Sequence, residues 1–194
     1  LGAEVIEMPT IRIEPPASYA PLDDAIAALP GYDWVVFTSA NGVDAFFERL
    51  RAAGKDARAL PRVASIGDAT SERLAACSIR ADCQPEKFTS EALLAAIAAK
   101  AELRGRRVLL ARAAEAPDAL PEGLAALGAT VDVVPAYRTV TASAADEELL
   151  ERLASGHVDF VTFTSSSTVR GFADAVGRER LAAIVPRPVA QPPS

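Results

Sequence analysis

Histidine occurs once and cysteine twice in this 194-residue chain, and no apolar run reaches the ~18 residues of a membrane-spanning helix. Each scarcity removes a class of function. His157 stands in the loop SGHVD with nothing beside it to complete a triad or a metal site. Cys77 and Cys83 lack C-x-x-C spacing and histidine partners, so neither zinc nor a disulfide framework is expected. Positive charge is also in deficit. A net charge of −6 leaves no basic stripe for nucleic acid, and Arg104, Arg106 and Arg107 in LRGRRVLLAR read as flanks that solubilise the start of a buried strand. The opening LGAEVIEMPT has neither the basic nor the apolar part of a signal peptide, which leads to the expectation of a soluble, cytoplasmic protein. The phosphate, dinucleotide and hydrolase signatures G-x-x-x-x-G-K-[ST], G-x-G-x-x-G and G-x-S-x-G are missing too.

What is plentiful is apolar residue, 50% of the chain, enough for sizeable cores in one or two domains. It is organised by a repeat. YDWVVFTSANGVDAF at 32–46 returns as VDFVTFTSSSTVRGF at 158–172, with Asp33, Val35, Phe37-Thr38-Ser39, Val43 and Phe46 falling on Asp159, Val161, Phe163-Thr164-Ser165, Val169 and Phe172. A recurrence at so long an interval points to two copies of one domain type, since solenoid repeats are much shorter. Strands are expected at 4–8 (with 11–13), 34–38, 62–66, 79–83, 107–111, 130–134, 158–163 and from 182. Helices are expected at 21–29, 41–53, 69–76, 90–100, 117–127, 146–155 and 167–176. Alternation of this kind predicts an α/β fold: two similar, doubly wound parallel-sheet lobes. The isolated first strand pairs most simply with the last block. That makes residues 1–10 plus 139–194 an outer lobe, residues 16–134 an inserted lobe, and the stretches near 10–16 and 134–139 a two-stranded extended connector. The outer lobe reads as incomplete at both ends.

Each copy of Phe-Thr-Ser ends a strand and opens a helix. Ligands of open α/β sheets bind beyond the carboxyl ends of strands, where helix N-termini offer unpaired N–H groups to anions. Ser39, Asn41, Ser165, Ser166 and Ser167 therefore either cap their helices or bind carboxylates. The turn in VASIGDATSERL adds Gly67, which permits close backbone approach, and Thr70, with capping again the competing reading. If the turns of both copies face one cleft, they could grip a multiply charged ligand without a basic patch.

The segments DWVVFTSANGV, VASIGDATSERL, GRRVLLAR, LAALGATVDVVPAYRTV and VDFVTFTSSSTVRGF, in this order and over nearly the whole chain, resemble the uroporphyrinogen-III synthase family. The resemblance implies a cofactor-independent lyase of tetrapyrrole and haem biosynthesis. It would cyclise hydroxymethylbilane to uroporphyrinogen III with loss of water and inversion of ring D, binding no metal and acting as a monomer on a polycarboxylate tetrapyrrole. It implies substrate contacts at Thr38, Ser39, Asn41, Gly67, Thr70, Ser165 and Ser166. It points to Tyr137 in PAYRTV as the general acid, beside the reading of a hinge tyrosine that only packs. Relatives carry further elements at both ends, and commonly an arginine near Pro117. The reading from another class is a non-catalytic two-lobe ligand-binding or regulatory module.

Overall fold

A computed structural model describes residues 2, 4–142, 147–163, 165–177 and 180–181. The chain divides into two compact units, Ile13–Arg138 and the pair of segments Leu1–Arg12 with Thr139–Ser194. Its elements are β1 (Ile11–Glu14), α1 (Ala20–Ala27), β2 (Trp34–Phe37), α2 (Ala40–Ala52), β3 (Arg62–Ser65), α3 (Asp68–Ala76), α4 (Ser90–Lys100), β4 (Arg107–Ala113), α5 (Ala119–Ala126), β5 (Thr130–Thr141), α6 (Glu147–Ala154) and α7 (Ser166–Val176). The result is an α/β fold.

The sheet runs β1-β5-β4-β2-β3, with β2/β3, β2/β4 and β4/β5 all parallel. All four residues of β2 are buried, as expected of a strand covered on both faces. Period-two alternation sorts them: Val35 and Phe37 join the core under α1, α2 and α3, while Trp34 and Val36 join the core under α4 and α5. Helix α2 meets the first face with Val43, Phe46, Phe47 and Leu50 at helical spacing. Phe46 sits edge-on to Phe37 with ring centroids 5.2 Å apart. Full burial of side chains of this size contributes about 2–3 kcal/mol each. Because β3 and β4 follow one another in sequence yet flank β2 on opposite sides, the strand order reverses at β2. In parallel sheets that reversal opens a crevice at the carboxyl ends.

Three expected strands are not seen as such among the described residues. Residues 79–83 contribute only one parallel bridge, Cys83 to Ala64. Beside it the Asp82 carboxylate accepts the Val63 N–H at 2.7 Å in place of a ladder, and Pro85, two residues on, has no N–H to extend one. Residues 4–8 carry no regular structure, and Val5 is largely exposed; the strand lies later, at 11–14. Residues 158–163 belong to no ladder among the described residues, and Phe160 is 88% exposed. The strand expected from 182 lies outside the described residues.

The expected strand 130–134 and connector instead form one twelve-residue strand. Its register against β4 slips between Arg112↔Pro135 and Ala113↔Tyr137, leaving Ala136 as an extra residue. Proline, which cannot donate to the ladder, sits at the irregularity where strands tolerate it. The bulge puts two consecutive residues, Ala136 and Tyr137, into the same core under α2.

In the other unit, α6 and α7 bury a small cluster of Leu150, Leu153, Phe172 and Val176. Thr10 binds the Thr168 carbonyl through its hydroxyl at 3.2 Å.

Candidate active site

Ser39 follows β2 and is the N-cap of α2, extended at φ −160° and ψ 154°, so its hydroxyl oxygen accepts the Gly42 N–H at 3.0 Å. The buried phenol of Tyr137 donates to the same oxygen at 2.9 Å. Gly42 makes this meeting possible. A Cβ there would lie 3.1 Å from the Ala111 carbonyl oxygen and 3.2 Å from Ser39 Oγ. With both lone pairs of Ser39 Oγ engaged, the hydrogen of its own hydroxyl is left to donate. Beside the pair a shallow cleft of about 250 Å³ is lined by Tyr19, Asn41, Tyr137 and three carboxylates, Glu14, Asp44 and Glu48. Arg138 pairs with Glu14 at 2.8 Å and Arg73 pairs with Asp44, which offsets much of that negative charge. Thr38 is partly buried between β2 and Ser39.

Gly67 and Thr70 belong to the neighbouring turn, since β3 lies parallel to β2 with Ser65 level with Phe37. Gly67 caps α3 in an extended conformation and is covered by the Phe88 ring, whose Cγ would be 3.1 Å from an added Cβ. Thr70 is buried in the first turn of α3. The polar chain at this turn is one that sequence reading passed over: Ser65, Ser71, Gln84 and Asp68 are linked by hydrogen bonds of 2.5–2.7 Å. In the other unit, Ser165 caps α7 at φ −162° and ψ 162° in a capping box with Thr168. It matches Ser39 to within a few degrees of backbone. Ser166 opens α7, and its side chain lies outside the described residues.

Arg112 is the second group that sequence reading missed. It is the next-to-last residue of β4 and is buried, facing away from α2 by strand alternation. Its guanidinium donates to the Pro117 carbonyl and the Asp118 carboxylate. Its Nε–H is buried and meets no acceptor among the described residues. The signal was a charged letter inside the apolar run VLLARA. At the opposite, amino end of the strands, Asp33 accepts the Arg107 N–H at 2.9 Å and pairs with Arg106 at 2.8 Å. Those contacts hold its carboxyl below the usual range, the backbone hydrogen bond most of all. The recurring Asp of the repeat is, in its first copy, a staple between β2 and β4. Nearby, burial and then the hydrogen bond to Asp132 push the Tyr32 phenol up to about 12. Among the described residues no group of three or more His, Cys, Asp or Glu could hold a metal ion, and no helix is long and apolar enough to cross a membrane.

The fold is that of an open α/β protein, and its polar side chains gather at the carboxyl edge of the sheet where strand order reverses, the place where proteins of this class receive ligands. This chain belongs to the uroporphyrinogen-III synthase family: the family model described as "Uroporphyrinogen-III synthase HemD" matches residues 1–188. It is 39% identical over 173 residues to uroporphyrinogen-III synthase of Synechococcus elongatus, covering 88% of this chain and 65% of the relative. It is 32% identical over 174 residues to the porphyrin biosynthesis protein HemD of Ruminiclostridium josui, covering 89% of this chain and 34% of that one. The chain thus spans less than two thirds of the length of either. Among solved structures, a mutant uroporphyrinogen III synthase from Thermus thermophilus aligns with a TM-score of 0.64 at 22% identity, over 90% of this chain and 68% of that one. That likeness is one of fold.

Proposed function

We propose that this chain cyclises hydroxymethylbilane to uroporphyrinogen III, releasing one water. The family match along residues 1–188 carries the reading. The linear tetrapyrrole loses its terminal hydroxyl, and the azafulvene left behind is attacked so that ring D inverts through a spiro intermediate before the ring closes. Closure without inversion occurs spontaneously, so the protein's task is to hold the chain where the inverted attack is nearer. A proton must reach the departing hydroxyl. Tyr137 and Ser39 suit that need as a pair: the phenol donates to Ser39 Oγ, and Ser39 keeps a hydrogen to offer outward. Thr38, Asn41, Gly67 and Thr70 at the same edge, with Ser165 and Ser166 in the other unit, are assigned to the substrate's acetates and propionates. The uncapped N–H groups of helix first turns would do the holding.

The same reading takes the two units as similar α/β lobes, one inserted in the other, working as a single chain in the cytoplasm. The near-identical cap geometry of Ser39 and Ser165 supports the likeness of the lobes. The test is product isomer analysis after incubating the purified chain with freshly made hydroxymethylbilane. The type III isomer in excess of a protein-free control is expected. Type I alone, at the spontaneous rate, would overturn the assignment, and binding without turnover would mark a ligand-binding module.

A further inference from the structure

We propose that Arg112 and the N-terminus of α5 form a second carboxylate-binding site, in which the Asp118 side chain holds the place of an acetate or propionate of the substrate. The inference rests on the tetrapyrrole reading above and adds a site on the sheet face opposite Ser39 and Tyr137. Three observations converge. Arg112 is 7% exposed, yet its buried Nε–H has no acceptor among the described residues. A buried donor left unpaired is costly, and arginine's planar fork suits two-point binding of a carboxylate. Asp118 occupies the N-cap position of α5 but does not cap it: no side chain accepts from the first turn. Its carboxylate turns instead to the Arg112 guanidinium, while the carboxylate remains mostly exposed. Pro121 removes one N–H from that turn, and the Glu122 N–H returns to the Asp118 carbonyl at 3.0 Å. Ala119 and Leu120 then supply the N–H groups that a ligand oxygen would meet beside Arg112. The positive end of the helix and the guanidinium lie together, an arrangement that favours an anion and disfavours a lone cation.

An exposed aspartate is easily displaced. A substrate carboxylate entering from solvent would take over the Arg112 contact and free Asp118 to turn towards its own helix, the usual role of an aspartate at that position. Removing Asp118's charge should therefore help binding, the reverse of what losing a structural ion pair does.

The experiment measures the affinity of the purified chain for uroporphyrin III, the stable oxidised form of the proposed product with its eight carboxylates, by fluorescence titration. D118N is expected to bind about tenfold tighter and R112Q about tenfold weaker, the size of one charge-assisted contact. R112K should fall between wild type and R112Q. E122Q removes the same charge one turn along α5 and should shift affinity far less than D118N. In the R112Q background, D118N should bring no gain. Equal effects of D118N and E122Q, a D118N gain that persists without Arg112, or no binding by the wild type would each overturn the site. Type III formation by a chain whose affinity ignores both substitutions would leave the proposed reaction standing and remove the site. Arg112-dependent binding with only type I product would do the opposite.

Discussion

At the scale of single residues, the Tyr137–Ser39 pair separates catalysis from packing. Tyr137→Phe keeps the ring in the α2 core and deletes only the donor. If the phenol protonates the departing hydroxyl, type III formation should fall by about 100-fold or more, while the loss of one hydrogen bond costs only about 1 kcal/mol of stability. Tyr137→Ala should cost roughly 3 kcal/mol or more through the cavity it leaves. Initial rates and melting temperatures of both variants decide the matter; a fully active Phe variant would leave Tyr137 a packing residue. Tyr32 gives a prediction in pH. Its phenol moves from an ordinary 10.0 up to about 12, through burial first and Asp132 second. A raised pKa means the folded state holds its proton more tightly. That stability is fully present below about 10 and is lost as pH rises towards about 12. Urea midpoints of Tyr32→Phe against wild type should therefore converge over that interval, and parallel curves would remove Tyr32 as the cause of the alkaline loss.

Elements set how much of this could be read from letters alone. Strand β2 and helix α2 were legible because WVVF is continuously apolar and the next apolar residues fall at helical spacing, so Ser39 at the change of period had to be a cap. Tyr137's partner was not legible. Its orientation depends on a register slip of β5 against β4, a relation between segments more than twenty residues apart. The strand expected at 158–163 joins no ladder among the described residues; an apolar run suggests burial but does not name the neighbour it needs. Arg112 was visible as an exception within an apolar strand, yet its meaning lay in the Asp118 contact across a turn. The tight seating of α2 leads to a prediction of its own. Gly42→Ala places a Cβ 3.1 Å from a β4 carbonyl oxygen, and backbone cannot swing aside like a side-chain tip. Destabilisation of about 1–3 kcal/mol is expected, read as a lower chemical-denaturation midpoint; a gain from better helix propensity would refute the close seating.

At the scale of the whole molecule, the described residues of the two units differ in how much apolar surface they enclose. Ile13–Arg138 carries two cores on either face of a parallel sheet, whereas α6 and α7 share a cluster of four buried residues. Local stability follows buried contacts. Amide exchange should accordingly be slowest in β2 and β4 and clearly faster in α6 and α7; equal protection in both would contradict the difference in cores. Arg112 bears on another property, the route by which such a protein can be improved. A buried guanidinium with an unsatisfied N–H weighs against the folded state, and replacing buried ionic groups with apolar ones of similar volume is often neutral or stabilising. Asp118, mostly exposed at a helix N-terminus, loses little when its partner goes. A screen that selects variants of this chain for heat resistance alone should therefore accept Arg112→Met early, and the hardened protein it delivers would have lost the anion site proposed above.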